Sequence, residues 1–499
     1  VHDAIVIGSG PNGLVAAAYL AKAGLDVLVL EAKDELGGAV RTVPGVQPGF
    51  RHDVGAAFFP FGRHSPALVG LELTKAGLHW RHAEIDSAHP ALDGTCAAIS
   101  RDVDVAAKAF GRDGDAWRDI ATWYASVEQR LLPALLTTFP PLREGLSLGP
   151  GTMLRLARVA LSSGRGFAES TFETEAARRV IPGLALHTDV GPDDALGAIV
   201  GFMLAVTASS GGFGVPEGGA GEITRSILHR LLGWGGKTRV RTRVRKILVE
   251  GGRAIGVLTD RGEDLRARVV VADTGAPQLY LGLLDPNVVP SPVIEKMRAF
   301  RWGFGTFKMD WELDGPVPWT SELCRRAAVV HPSESLDDLA RFTAEVRRGE
   351  LPQLPYLVVG QQSLLDPSRA PRGKHTLYAY SRVPSVVEGG WEAQRDTFAA
   401  RIEARIEGLA PGFGKLVSGR RIMTPVDLEA MNENLAHGDL GGGSADIFHQ
   451  LLFRPMFPYF RYRTPIRDLY LCSSYTHPGA GVHGACGHNA ARAVLDDRA

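Results

Sequence analysis

The 499-residue sequence predicts an α/β protein of two interleaved domains, one built around a parallel sheet and one of α+β character carrying a helical insertion. Three observations carry this. The chain opens with a short apolar strand pattern, a glycine turn, a helix of small residues and a second strand. A long stretch near 100–210 has helical periodicity. Strand alternation then returns, and the chain closes on another strand, glycine turn and helix. The most economical assembly puts 1–75, 215–290 and 455–499 in the first domain. It puts 76–214 and 291–454 in the second, the substrate domain.

Taken in order, residues 4–7 read as a buried strand. Residues 13–23 read as a small-residue helix closed by Gly24, and 26–31 as the next strand. Residues 104–165 follow a helical pattern broken at Pro140 and Pro141, and 168–209 continue it. Alternating strands are expected at 238–249, 253–259 and 265–272, with further strands at 304–313 and 354–360. A helix is expected over 389–408. An extended run ends at Leu471, and a final helix lies near 484–496.

Composition narrows the classes. Hydrophobic residues make up 45% and charged residues 22%, enough apolar material for a large core. Lys plus Arg and Asp plus Glu balance at 55 each, which leaves no electrostatic footprint for nucleic acid. The local run Arg239, Arg241, Arg243, Arg245, Lys246 reads as one solvated strand face. Cys96, Cys324, Cys472 and Cys486 are scattered without a CxxC pair, so free thiols are expected and a disulfide reductase is not. No metal-ligand spacing appears. No signal peptide is visible, and the apolar stretch 195–208 is short of the ~20 residues a membrane span needs. A cytoplasmic protein is the expectation.

The opening turn, Gly8-Ser9-Gly10-Pro11-Asn12-Gly13, is a GxGxxG placed between strand and helix. Gly8 allows the turn, Gly10 lets backbone approach a pyrophosphate, and Gly13 lets helix and strand pack closely. The helix then offers free N–H groups and a positive dipole end to the phosphates, beside Pro11 and Asn12. Glu31 ends the second strand, where an acid accepts hydrogen bonds from a ribose and disfavours a 2′-phosphate. A Rossmann-type dinucleotide site follows from these residues.

The next stretch, Glu31-Ala32-Lys33-Asp34-Glu35-Leu36-Gly37-Gly38-Ala39-Val40-Arg41-Thr42, resembles the second glycine motif of the flavin amine oxidase and phytoene desaturase superfamily. Tyr462–Pro465, Leu469–Cys472 and Pro478-Gly479-Ala480-Gly481-Val482 resemble the phytoene desaturase-like family. The closer likeness is to its branch of carotene ketolase-like and pyridine nucleotide-disulfide oxidoreductase domain 2 proteins. Asp53-Val54-Gly55, Val215-Pro216-Glu217-Gly218-Gly219 and the strands around Val244 match as well. The helical region matches only in general character.

The resemblance implies FAD as cofactor. It sets Gly37, Gly38 and Arg41 against the pyrophosphate, Ala39 and Val40 near the flavin ring, and Val244 against the adenine. It also puts Gly481 and Val482, at the start of the last helix, beside the flavin pyrimidine edge. The activity implied is oxidation or desaturation of a lipophilic small molecule such as a polyene.

Flavin chemistry asks little of protein side chains beyond positioning. Two residues are singled out. Lys308 resembles the lysine that amine-oxidase flavoenzymes hold near flavin N5; the alternative is a strand lysine facing solvent. His483, at the start of the last helix, is a candidate acid or base; the alternative is a histidine with no catalytic role. His477 and His488 are weaker candidates, and His187 and Asp189 read as packing residues.

Amine oxidases place an aromatic cage residue just before the last helix, whereas Gly479–Val482 are all small, so amine oxidation ranks second. A non-catalytic flavin-binding scaffold is a third reading. The helix carrying Met153, Leu154, Leu156, Val159 and Leu161 with Arg155 and Arg158 suits either a core cover with its arginines in water or a membrane surface. Peripheral membrane contact is therefore open, as is oligomeric state.

Overall fold

The computed structural model describes all 499 residues. Its first sheet has a parallel centre in the order Leu469–Leu471, Asp264–Ala272, His2–Ile7, Val27–Leu30, Lys237–Arg239. Antiparallel strands Val244–Glu250 and Arg253–Thr259 extend it from the outer end of Asp264–Ala272. Strands buried on both faces read as unbroken apolar runs, which is why Ala4–Ile7 and Val27–Leu30 were legible.

Three helices, Pro11–Lys22, Gly221–Gly233 and Ala485–Arg498, share one core with one face of this sheet. A glycine on the last helix lets it approach the first closely: a Cβ on Gly487 would lie 2.1 Å from the Asn12 carbonyl oxygen.

The expected strand 238–249 is two strands. Arg241 takes a left-handed φ of +51°, and the chain swings from pairing beside Val27–Leu30 to the antiparallel extension. The arginines consequently share no single face. Arg239 pairs with Glu263 and Arg243 with Glu433.

The second sheet runs Val417–Met423, Gly305–Leu313, His375–Val383, Val358–Gly360, Ala327–Val330, Ile85–Pro90, Cys96–Ile99. One face packs on helix Gly390–Leu409 around Phe307, Trp311, Phe398 and Ile402. The other face looks toward the helical region, whose members include Gly114–Leu136, Leu142–Ala160 and Ala198–Ser210.

Ala198–Ser210 is a buried core helix, and a Cβ on its Gly201 would sit 1.9 Å from the Ile181 carbonyl oxygen. Leu142–Ala160 is two helical pieces that meet at a kink at Gly149 (φ +76°), and its inner side, with Leu148 and Val159 buried, covers the core as expected. Leu142, Leu146 and Leu154, and Leu161 just beyond the segment, lie exposed with Arg158, while Arg155 is half-buried, 4.6 Å from the Trp123 ring and bonded to Asp119. No helix is long and apolar enough to cross a membrane.

Candidate active site

Strand His2–Ile7 ends at Gly8, whose φ of +92° makes the turn, and Pro11 starts the helix at a position with no N–H to lose. All three motif glycines face one residue that the sequence reading missed. A Cβ would meet Asp273 at 2.8 Å from Gly8, 2.5 Å from Gly10 and 2.8 Å from Gly13. Asp273 follows strand Asp264–Ala272 at the carboxyl end of the parallel sheet, where ligands of such sheets bind, and that position was its available signal. Its Oδ2 accepts the Gly13 N–H at 3.0 Å. Burial pushes its pKa up to about 7, and the Glu31 charge adds to the rise against the Gly13 hydrogen bond.

Glu31 is buried one strand over. Its Oε2 accepts from the Ser9 N–H at 3.0 Å and the Ser9 hydroxyl at 2.5 Å, and its Oε1 from the Lys33 N–H at 2.9 Å. A carboxylate offers about four acceptor positions, so Oε1 keeps one free for a ribose hydroxyl. Glu31 also bonds through its backbone to Arg239 and Thr242, which brings the start of the Val244 strand alongside Glu31 and Ala32. Val244 itself is buried and paired with Thr259.

The second glycine turn packs on the first. Gly37 donates to the Ser9 carbonyl at 3.0 Å, and a Cβ on Gly38 would lie 3.1 Å from the Gly10 Cα. Arg41 bonds the Gly38 carbonyl and pairs with Glu35 at 2.8 Å, so its charge is matched by a surface acid. Ala39 stays partly exposed beside Gly55. Val40 departs from expectation: its side chain is in the core, 3% exposed, and only its backbone can border the cleft.

The last helix starts at Ala485, later than Val482, because Gly481, Val482 and Gly484 all have positive φ and cannot be helical. Val482, β-branched at φ +50°, is strained beside the predicted flavin edge. His483 does not present a free base. It is 2% exposed, its Nδ1 accepts the Ala485 N–H at 3.1 Å, and burial pulls its pKa down to about 4. Its ring binds the first N–H of the last helix, just before the N-cap Gly484.

Lys308 does not face solvent. Strand Gly305–Leu313 is buried along its whole length, and Lys308 Nζ bonds both oxygens of Asp310 at 2.5 Å, with the Tyr378 ring 5.6 Å away. His52 lies 3.8 Å from Asp310 and 3.7 Å from Glu312. Lys308 therefore sits beneath the hairpin Thr42–Pro44/Arg51–Asp53 that leaves the second glycine turn. That hairpin is anchored by a fully buried pair, Arg369 to Asp53 at 2.8 and 3.1 Å, and Arg369 also bonds Asp366. Asp53 and Asp366 in turn hold the N–H groups of Ala220 and Gly218.

The GxGxxG, Glu31, Gly37–Arg41 and the 240–244 backbone thus come together at the carboxyl end of a parallel sheet, with Asp273 beneath them. Residues 12–495 match the model of the flavin containing amine oxidoreductase family. The chain belongs to that family.

Among its relatives is the rat pyridine nucleotide-disulfide oxidoreductase domain-containing protein 2, 29% identical over 99% of this chain and 94% of that protein. The phytoene desaturase (neurosporene-forming) of Cereibacter sphaeroides is 25% identical over 97% and 92%. One subunit of the limonene dehydrogenase of Castellaniella defragrans is 22% identical over 99% and 94%. Of solved structures, an oxidoreductase from Methanosarcina mazei superposes with a TM-score of 0.63 at 19% identity, covering 99% of both chains. Putrescine oxidase bound to putrescine gives 0.62 at 18% identity, again with 99% of both covered. These structures share the fold. As a family member the chain is a flavin-dependent oxidoreductase, on the α/β fold expected, and the desaturase-like branch read from the motifs is the one its relatives occupy.

Proposed function

We propose that this oxidoreductase holds FAD non-covalently and dehydrogenates a neutral, hydrophobic small molecule of polyene-like character. The cradle supports FAD as the dinucleotide. Two interlocked glycine turns leave no room for a side chain, a helix N-terminus lies behind them, and Glu31 keeps a free acceptor for ribose. Bound there, the flavin accepts a hydride from a substrate C–H bond. Gly8–Gly13 and Gly37–Arg41 would take the phosphates, Glu31 and the 240–244 backbone the adenosine end. Gly481 and Val482 would border the ring.

The observation that carries the substrate reading is the charge on the sheet face toward the helical region. On that face Asp310 is matched by Lys308, while Glu312 is held by the Val46 and Gln47 N–H groups. Arg382, on the same sheet, has no acid within ion-pair distance; it bonds only Thr306 and the His187 carbonyl. A cationic amine held beside Arg382 would be repelled by it, and burying such a charge unpaired is costly. The phytoene desaturase and limonene dehydrogenase relatives favour the same reading. The leucines exposed on Leu142–Ala160 suit a protein that meets its lipophilic substrate at a membrane surface.

An anaerobic spectral titration with a panel of polyenes and amines tests this. Bleaching of the oxidised flavin by a polyene is expected. Bleaching by amines alone would replace the reading with amine oxidation, and a flavin that no compound bleaches would favour the scaffold.

A further inference from the structure

The four cysteines are free thiols, and two of them, far apart in sequence, meet in the second domain. Cys96 opens the outermost strand of the second sheet, Cys96–Ile99, straight after the exposed turn 92–95, and keeps accessible surface itself. Cys324 is fully buried on the short helix Glu322–Arg325, which packs over strand Ile85–Pro90. Cys96 packs against the same apolar cluster that holds Cys324. Their thiols hydrogen-bond each other, and the Ser321 hydroxyl lies within reach of both. Arg179 enters the same corner. Its guanidinium is 0% exposed and donates to the Thr95 carbonyl, the Thr95 hydroxyl and the His89 carbonyl at 2.8, 2.9 and 3.1 Å.

Arg179 is a buried cation without a matching acid. No carboxylate lies within ion-pair distance, its Nε has no partner, and its remaining bond is to the Glu334 carbonyl. Asp93, Glu334 and Glu175 act on it only from farther off. Burial pulls its pKa down, and the charge that opposes this most is a Cys96 thiolate. The two thiols are unequal. The hydrogen bond from Cys324 lowers the Cys96 pKa most; Ser321, the His89 backbone and Arg179 add to it, and burial works against them. The same bond, with burial, pushes the Cys324 thiol up, so it keeps its proton and donates it to the Cys96 sulfur. The thiolate is the form that oxidants meet first, and Cys96 is the more accessible of the pair. Cys472 and Cys486 have neither advantage. Both are fully buried, and burial pushes both thiols up, Cys486 to about 11.

We propose that Cys96 and Cys324 form a peroxide-sensitive dithiol, in which hydrogen peroxide oxidises Cys96 and Cys324 closes a disulfide on it. The Cys96 sulfur attacks one peroxide oxygen and the O–O bond breaks. The other oxygen leaves as hydroxide, takes up the proton that Cys96 gave up, and becomes water. Cys96 is then a sulfenic acid. The Cys324 sulfur attacks the Cys96 sulfur, and the S–O bond breaks. The departing hydroxide leaves with the Cys324 proton as a second water. Two thiols have thus given two electrons and two protons to one peroxide. The disulfide pins the outermost strand of the second sheet to the connection between Gly305–Leu313 and Ala327–Val330, and a thiol reductant reopens it. The inference does not depend on which substrate the flavin oxidises.

The test treats the purified holoenzyme with hydrogen peroxide at neutral pH, stops the reaction with catalase, then denatures, alkylates and maps the peptides. The expected chain is lighter by two hydrogens and carries two alkylated cysteines, Cys472 and Cys486. One linked peptide pair holds Cys96 and Cys324, and dithiothreitol separates it. The pair should oxidise about tenfold faster than glutathione, since a free thiol is only a few per cent thiolate near pH 7. In Cys324→Ser no disulfide forms, and a dimedone probe labels Cys96. In Cys96→Ser nothing is labelled and Cys324 stays reduced. The flavin spectrum reports whether each variant folds; if neither does, the wild-type map decides alone. Four alkylated cysteines after peroxide that fully oxidises glutathione, a bridge through Cys472 or Cys486, or oxidation no faster than glutathione's would overturn the proposal. So would a folded Cys324→Ser protein that dimedone leaves unlabelled.

Discussion

Asp273 is the residue on which the cleft's electrostatics turn. With its pKa pushed up to about 7 by burial, it is protonated below neutrality and a carboxylate above it. A pyrophosphate brought to the neighbouring glycines favours the protonated form, so binding takes up a proton. FAD affinity should fall as pH rises through 7, by up to about tenfold per unit. Asp273→Asn should bind FAD with a flat pH profile, which fluorescence titration of the cofactor-free protein would read; an equally steep profile in the variant would move the effect elsewhere. The glycines and Glu31 could be read from sequence because their spacing within one βαβ unit carries their chemistry. Asp273 could not: it meets Gly13 across 260 residues of chain, and only the parallel pairing of their strands makes them neighbours. For His483 and Lys308 the sequence located the elements. It could not show that one binds the first N–H of the last helix and the other is clamped by Asp310.

At the level of elements, the hairpin leaving the second glycine turn depends on Asp53 and Arg369. Both are 0% exposed at the side chain, and removing one partner leaves a buried charge uncompensated. Asp53→Ala should cost about 3–5 kcal/mol in denaturant unfolding. A loss under about 1 kcal/mol, the range of exposed pairs, would mean that Asp366 alone suffices for Arg369. The segment Leu142–Ala160 was legible as amphipathic, but its kink at Gly149 and its exposed leucines were not. Arginine stems pack as well as leucines do, and Arg155 found Trp123 and Asp119 while Leu142, Leu146 and Leu154 stayed outside. With that face outward, the protein should float with anionic liposomes, and replacing Leu142, Leu146 and Leu154 by Ser should abolish flotation without altering the flavin spectrum. A wild-type protein that stays unbound would remove the membrane from the account.

Across the whole molecule, the parallel centre of the first sheet declared itself because strands buried on both faces are continuous apolar runs. The second sheet was mostly hidden. His375–Val383 and Val417–Met423 mix charges and hydroxyls with apolar residues, which reads as loop. In His375–Val383 those polar residues line a buried face, where partners such as Thr306 for Arg382 satisfy them, while Val417–Met423 is a partly exposed edge strand. The interior surface that would select a substrate was thus the part least visible in sequence. The dehydrogenation proposed above assumes that the cleft between the two glycine turns holds FAD. The direct test is to denature the purified protein and measure the mass and absorption of what is released. One FAD per chain, lost when Gly13→Val forces a side chain against the Gly8 carbonyl, is the predicted result. A flavin that stays covalently attached, a mononucleotide in its place, or a Gly13→Val protein that keeps its FAD would contradict the account.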